Sequence, residues 1–182
     1  SYGLYYQWGR RTPFVGPATW NFWSNKDLAL YNNLGYSIYL DYVASDETTG
    51  DVAWAVNNPL SVITGYKDNS YDWLFSGHDQ LWDENSKSEH DPCPNGWRVP
   101  DSSIYENLTI SSVDDNIEDW AVAQKMYGWH LEDANGSYFF SAAGRRNYLD
   151  GKLDNMNDDN TTPIPWSGYY WTSSVDDSGD AK

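Results

Sequence analysis

One cysteine, three histidines and 27 acidic side chains make up the reactive inventory of this 182-residue chain. Cys93 cannot close an intrachain disulfide. With Pro92 and Pro94 beside it and the nearest histidine at His90, nothing adjacent holds a thiolate, so it reads as a structural, inert thiol. His78, His90 and His130 lack metal-ligand spacing such as His-x-x-x-His, and no Gly-x-Ser-x-Gly elbow occurs, so zinc and nucleophilic catalysis are unsupported. Among 27 carboxylates some pair at glycosidase separation is almost inevitable, which empties that signal of meaning. A carboxylate-dependent glycan-active enzyme therefore stays as an alternative without named residues. Acidic pairs such as Asp46-Glu47 and Asp176-Asp177 fall in turn-like contexts and read as solvated.

Two other residue classes carry binding chemistry. Asp154, Asn155, Asn157, Asp158 and Asp159 place several oxygen ligands on one short stretch, the kind of donor a calcium ion takes. The order lacks the alternating Asp pattern and closing Glu of an EF-hand, so a solvated loop is the competing reading. Aromatic rings stack on the apolar faces of sugars while Asn, Asp and Gln bond the hydroxyls, and the chain holds 11 Trp and 15 Tyr. Trp20, Trp23, Trp73, Trp82 and Trp166 stand in loop-like stretches and are the ligand-contact candidates. Trp8, Trp97, Trp120 and Trp171 fall in regular elements or a rigid corner and are assigned to the core.

Charge narrows the partners. Lys+Arg 11 against Asp+Glu 27 gives a net charge of -16, a field that repels phosphate backbones and anionic lipid, so nucleic-acid binding is set aside. No apolar run approaches the ~18 residues of a membrane helix, so membrane insertion by this segment is not expected. The aromatic content of 17% argues against disorder. The length fits one domain spanning 1–182. Opening on Ser1 with a strand-like segment, that domain is expected to be an excised or processed part of a larger protein.

The elements that must position these residues are short. Turn signals recur at Gly16-Pro17, Asn58-Pro59, Asn95-Gly96, Asn135-Gly136 and Asp150-Gly151. Strands are expected at Gly3 to Trp8, Ser37 to Val43, Ser137 to Ala142 and Gly168 to Ser173. A helix is expected from Asp114 to Tyr127, where Ile117, Trp120, Ala121, Gln124 and Met126 lie near one face. A second, shorter one is expected over Ser102 to Leu108, with Asp101 as its N-cap. Leu149 to Trp166 reads as a long polar loop.

Three segments carry a resemblance: Tyr5-Tyr6-Gln7-Trp8-Gly9-Arg10, the run Asp91-Pro92-Cys93-Pro94-Asn95-Gly96-Trp97-Arg98-Val99-Pro100, and Gly144-Arg145-Arg146 with the later Gly168-Tyr169-Tyr170-Trp171-Thr172-Ser173-Ser174. In that order they resemble the Fibrobacter-type (Fibrobacter succinogenes) major paralogous domain, a module of secreted and surface proteins of gut bacteria. Its fold is related to C-type lectins and to the formylglycine-generating, sulfatase-modifying enzymes. The resemblance implies an α+β, C-type-lectin-like domain: a small twisted antiparallel sheet, one or two helices and much ordered loop. It implies a non-catalytic extracellular binding module, adhesin-like, for a glycan or a host or bacterial surface protein, at a fimbrial tip or outer membrane of a Gram-negative bacterium. A display scaffold for diversified loops that bind a protein is the alternative. The enzymes of the wider fold mostly use a cysteine pair, and only Cys93 is present. Family members continue past the Tyr-Trp-Thr-Ser-Ser strand, so closing strands and a partner for Cys93 are expected outside this chain, in a complementing C-terminal segment.

Independently of any family, three prolines within Asp91 to Pro100 fix φ and remove amide donors, while Gly96 allows a positive-φ turn after Asn95. Asp91, Cys93, Gly96, Trp97, Arg98 and Trp171 are therefore assigned structural roles. Trp97 and Val99 are expected to face inward together, and Arg98 to reach a carboxylate or backbone carbonyls.

Overall fold

A computed structural model describes residues 4–15, 30–31, 34, 37–38, 40–65, 71–77, 80–114, 128–151, 153–154 and 168–175. The architecture is α+β, built from small separate sheets and one short α-helix among the described residues. β1 (Leu4–Tyr5) pairs with β2 (Phe14–Val15), β3 (Leu30–Tyr31) with β4 (Ser37–Ile38), both antiparallel. β5 (Asp41–Ala44) runs parallel to β6 (Ser61–Thr64). β7 (Thr109–Asp114), β8 (Gly128–Asp133) and β9 (Gly136–Ser141) form a three-stranded antiparallel sheet, and β10 (Arg145–Arg146) pairs with β11 (Leu153–Asp154).

The β5–β6 pair corrects the expectation of a single antiparallel sheet. Parallel strands need a crossover, and α1 (Val52–Asn57) supplies it. Asp51 caps this helix by accepting from the amides of Ala53 at 2.8 Å and Trp54 at 3.1 Å. Asn58 closes the helix by donating its amide to the Trp54 carbonyl at 2.9 Å, and Pro59 cannot continue it. All four residues of β6 are buried, matching a strand covered on both faces.

Three other expectations change. Gly168 to Ser173 is no strand: only Gly168 bridges, in parallel, to Gly144. Its bonds to Tyr6, Ser141 and Pro100 run singly and form no ladder with one neighbouring strand. Of the helix expected over Asp114 to Tyr127, Asp114 ends β7 and the rest lies outside the described residues. Ser102 to Leu108 contains one 3-10 turn, Ser102–Tyr105, capped by the Asp101 carboxylate on the Ser103 amide at 3.0 Å. The Asn135-Gly136 signal does mark a turn, the one joining β8 to β9.

Tryptophan dominates the core. Trp8, Ala55, Ile63, Trp73, Leu74, Leu81, Trp82 and Val99 pack together, with the Trp8 and Trp82 rings 5.7 Å apart. Each buried indole N–H finds a carbonyl: Trp8 donates to Thr172 at 3.0 Å, Trp73 to Trp8 at 2.7 Å and Trp82 to His90 at 3.0 Å. Gly9, at φ 79°, lets the chain pass Leu81 where a Cβ would stand 2.6 Å from its side chain. Arg10 is buried beside this core, donating to Gln7 Oε1 and the Ser61 carbonyl at 2.8 Å each and stacking over Phe14 at 4.8 Å. Burial pushes its pKa down to about 10, still cationic at neutral pH. No helix among the described residues is long and apolar enough to cross a membrane.

Candidate functional site

The Asp91 to Pro100 run is organised by one carboxylate. Asp91 is 3% exposed; Oδ1 accepts from the Cys93 amide at 2.8 Å and from Lys87 Nζ at 2.9 Å, while Oδ2 accepts from the Val99 amide at 2.9 Å. Lys87 Nζ also reaches the Cys93 carbonyl at 2.7 Å. A single side chain thus closes both ends of the loop. Burial alone would raise the Asp91 carboxyl, but the bonds from Lys87, Val99 and Cys93 outweigh it and hold the pKa below the usual carboxylate range. For Cys93, burial and then the neighbouring Asp91 charge push the thiol upward, away from the reactive thiolate.

Within this frame the turn at Pro94 to Trp97 has Gly96 at φ 86° and closes with the Trp97 amide on the Pro94 carbonyl at 3.0 Å. Trp97 ends 72% exposed, whereas Val99 is 6% exposed. This overturns the assignment of Trp97 to the core. The expectation borrowed strand alternation for positions 97 and 99, and a turn does not alternate: Asp91 draws the Val99 backbone inward while the closed turn points the indole outward. Arg98 is exposed and donates to the Asn85 carbonyl at 3.4 Å.

A second aromatic group lies along residues 169–171. Tyr169, Tyr170 and Trp171 are all about half exposed, which also removes Trp171 from the core. Their backs are anchored. Trp171 Nε1 donates to the Tyr6 carbonyl at 2.8 Å, and Tyr170 Oη to the Ser141 carbonyl at 2.6 Å. Tyr170 meets Phe140 edge to face at 5.0 Å, Phe140 meets Tyr105 at 6.0 Å, and the Arg145 guanidinium lies 4.9 Å over Tyr169. Thr172, Ser173 and Ser174 are buried, and the Ser173 amide donates to the Pro100 carbonyl at 2.8 Å, tying this group to the end of the Asp91 corner.

The loop tryptophans separate differently from their sequence assignment. Trp73 and Trp82, candidate ligand contacts, are 6% and 2% exposed core residues. Lying in irregular chain does not expose an indole when its ring packs into the core cluster, as those of Trp73 and Trp82 do. Trp20, Trp23, Trp120 and Trp166 lie outside the described residues. Of the calcium set, Asp154 is the second residue of β11, opposite Arg145, and Asn155, Asn157, Asp158 and Asp159 lie outside the described residues. Among the described residues no group of three or more His, Cys, Asp or Glu side chains could hold a metal ion.

The cleft lined by Gly9, Arg10, Arg11, Thr12, Val52, Ala55, Val56, Trp73 and His90 has about 30 Å³ of room, enough for water and too little for a sugar. Trp97, Tyr169, Tyr170 and Trp171 present ring faces to solvent. Sequence reasoning missed Trp97, Tyr169, Tyr170 and Trp171 as exposed rings; the Pro94-Asn95-Gly96 turn directly before Trp97 was the signal that could have found the first. Set against protein-family models, curated proteins and solved structures, the chain matches none.

Proposed function

We propose that the chain is a non-catalytic, extracellular binding module that holds glycan against exposed aromatic rings, with Trp97 as the principal contact. The carrying observation is a large indole, 72% exposed, on a loop whose backbone is pinned by a buried carboxylate. A rigid, pre-exposed ring loses little conformational freedom when a sugar face stacks on it. Asn85 and Asn95, both exposed on the same loop region, supply amides for hydroxyls. The raised Cys93 thiol disfavours a cysteine nucleophile there, and the exposed indole supplies stacking surface.

The likeness of Asp91 to Pro100 and of Gly168 to Ser174 to the Fibrobacter-type domain supports a C-type-lectin-like arrangement and a place on a bacterial surface, as an adhesin or fimbrial component. Calcium is an accessory in this reading, because stacking needs no metal; EDTA leaves binding through Trp97 unchanged. A glycan array of wild type, Trp97→Ala and Tyr169→Ala tests the proposal. Retention of a defined glycan set by wild type and its loss in Trp97→Ala support it. Absence of any retained glycan, or retention unaffected by both substitutions, refutes it.

A further inference from the structure

The three-stranded sheet ends in two unlike edges. On β8, the carbonyls of His130 and Glu132 accept from Ser111 Oγ at 3.0 Å and Thr109 Oγ1 at 3.3 Å, so these residues turn their backbone groups toward β7. The alternate residues Trp129, Leu131 and Asp133 therefore face β9, opposite Phe140, Tyr138 and Gly136. By the same alternation, the backbone N–H and C=O of Ser137 and Phe139 point away from the sheet, and among the described residues nothing hydrogen-bonds to them.

Natural sheets guard such edges with bulges, prolines or charges. β7 has a register irregularity between Ile110 and Ser112. β9, Gly-Ser-Tyr-Phe-Phe-Ser, has none of the three, and Tyr138 and Phe139 remain 42% and 36% exposed. Charge selects what pairs there. A second copy brings the same net charge of -16, while Asp133, the last residue of β8 and hydrogen-bonded as an acceptor to the Asn135 and Gly136 amides, and exposed Glu132 make the β8–β9 turn end of the sheet acidic.

We propose that the outer edge of β9 takes up, by strand addition, an extended segment of another polypeptide, with apolar or β-branched side chains and a Lys or Arg at the end beside the acidic β8–β9 turn. Backbone bonds to Ser137 and Phe139 give affinity, and alternate side chains beside Tyr138 and Phe139 give preference. This surface is independent of the Trp97 corner and does not rest on glycan binding.

The test titrates the full chain into a fluorescent peptide, acetyl-Lys-Thr-Val-Thr-Val-Lys-amide, against the same peptide N-methylated at alternate residues. Saturable binding of the first, weakened by about tenfold or more on N-methylation through lost backbone bonds, is expected. Slowed amide exchange at Ser137 and Phe139 accompanies it. Ser137→Pro removes an outward amide from an exposed position and weakens binding similarly; if that variant fails to fold, the N-methylated peptide against wild type carries the same comparison. Equal binding of both peptides, or none at millimolar concentration, overturns the proposal. So does dimerisation of the free chain at high salt that Ser137→Pro abolishes, since a second copy is then the occupant.

Discussion

Trp82 and Trp97 stand fifteen positions apart in the same irregular stretch and meet opposite fates. Trp82 is 2% exposed with its N–H on the His90 carbonyl, while Trp97 is 72% exposed on a closed turn. Neither lies in a helix or strand. What separates them is the backbone around them. Asp91 folds the chain so that the carbonyl before it faces Trp82, and the turn after Pro94 carries Trp97 past the core. An indole's exposure in loop-rich chain follows from whether its ring packs into the core or a turn closure carries it outward, and local element type says little about it.

Trp82→Ala should destabilise by about 3–5 kcal/mol, the range for a buried large aromatic, and lower Tm by about 10 °C in a chain of this size. Denaturant melts check it; a cost below about 1 kcal/mol would place Trp82 outside the core.

Asp91→Ala comes next, at about 3 kcal/mol, because it strands Lys87 and two backbone amides that the carboxylate now satisfies. The same group predicts an acid limb. Its folded pKa lies below the unfolded value of ~3.9, so its contribution is full above about pH 4 and is lost as pH falls toward the depressed folded value. Comparing the pH dependence of unfolding with that of Asp91→Asn isolates it: the variant should lack this limb.

A smaller effect concerns Cys93. Its folded pKa is raised, so the native thiol stays protonated while the unfolded one ionises near ~8.5, and stability contributed by the group is present below that pH and declines above it. Native protein should react with iodoacetamide at pH 7.5 more slowly than urea-unfolded protein. Equal rates would mean that the corner is open.

Turn chemistry was the most legible part of the sequence. Asn58-Pro59, Asn95-Gly96 and Asn135-Gly136 mark real turns, Asp101 caps a short 3-10 turn, and the Ser137 to Ala142 signal lies on β9. The parallel pair was not legible, since Ser61–Thr64 is only four residues and its crossover helix six, too short for periodicity to register. Gly168 to Ser173 carried strand composition, yet it is held by long-range bonds to Tyr6, Ser141 and Pro100 that no local pattern encodes. The site failed for a related reason: aromatic type is visible in sequence, but whether a ring covers the core or leaves it depends on the Asp91 network spanning Lys87 to Val99.

Melting and binding measured together for Trp97→Ala separate an exposed contact from a core residue. The Tm should stay within about 2 °C of wild type, as for a surface substitution, while retention of the glycan bound by wild type is lost. A Tm lowered by about 10 °C, with binding lost only because the protein unfolds, would return Trp97 to the core and contradict its role as a pinned, exposed contact.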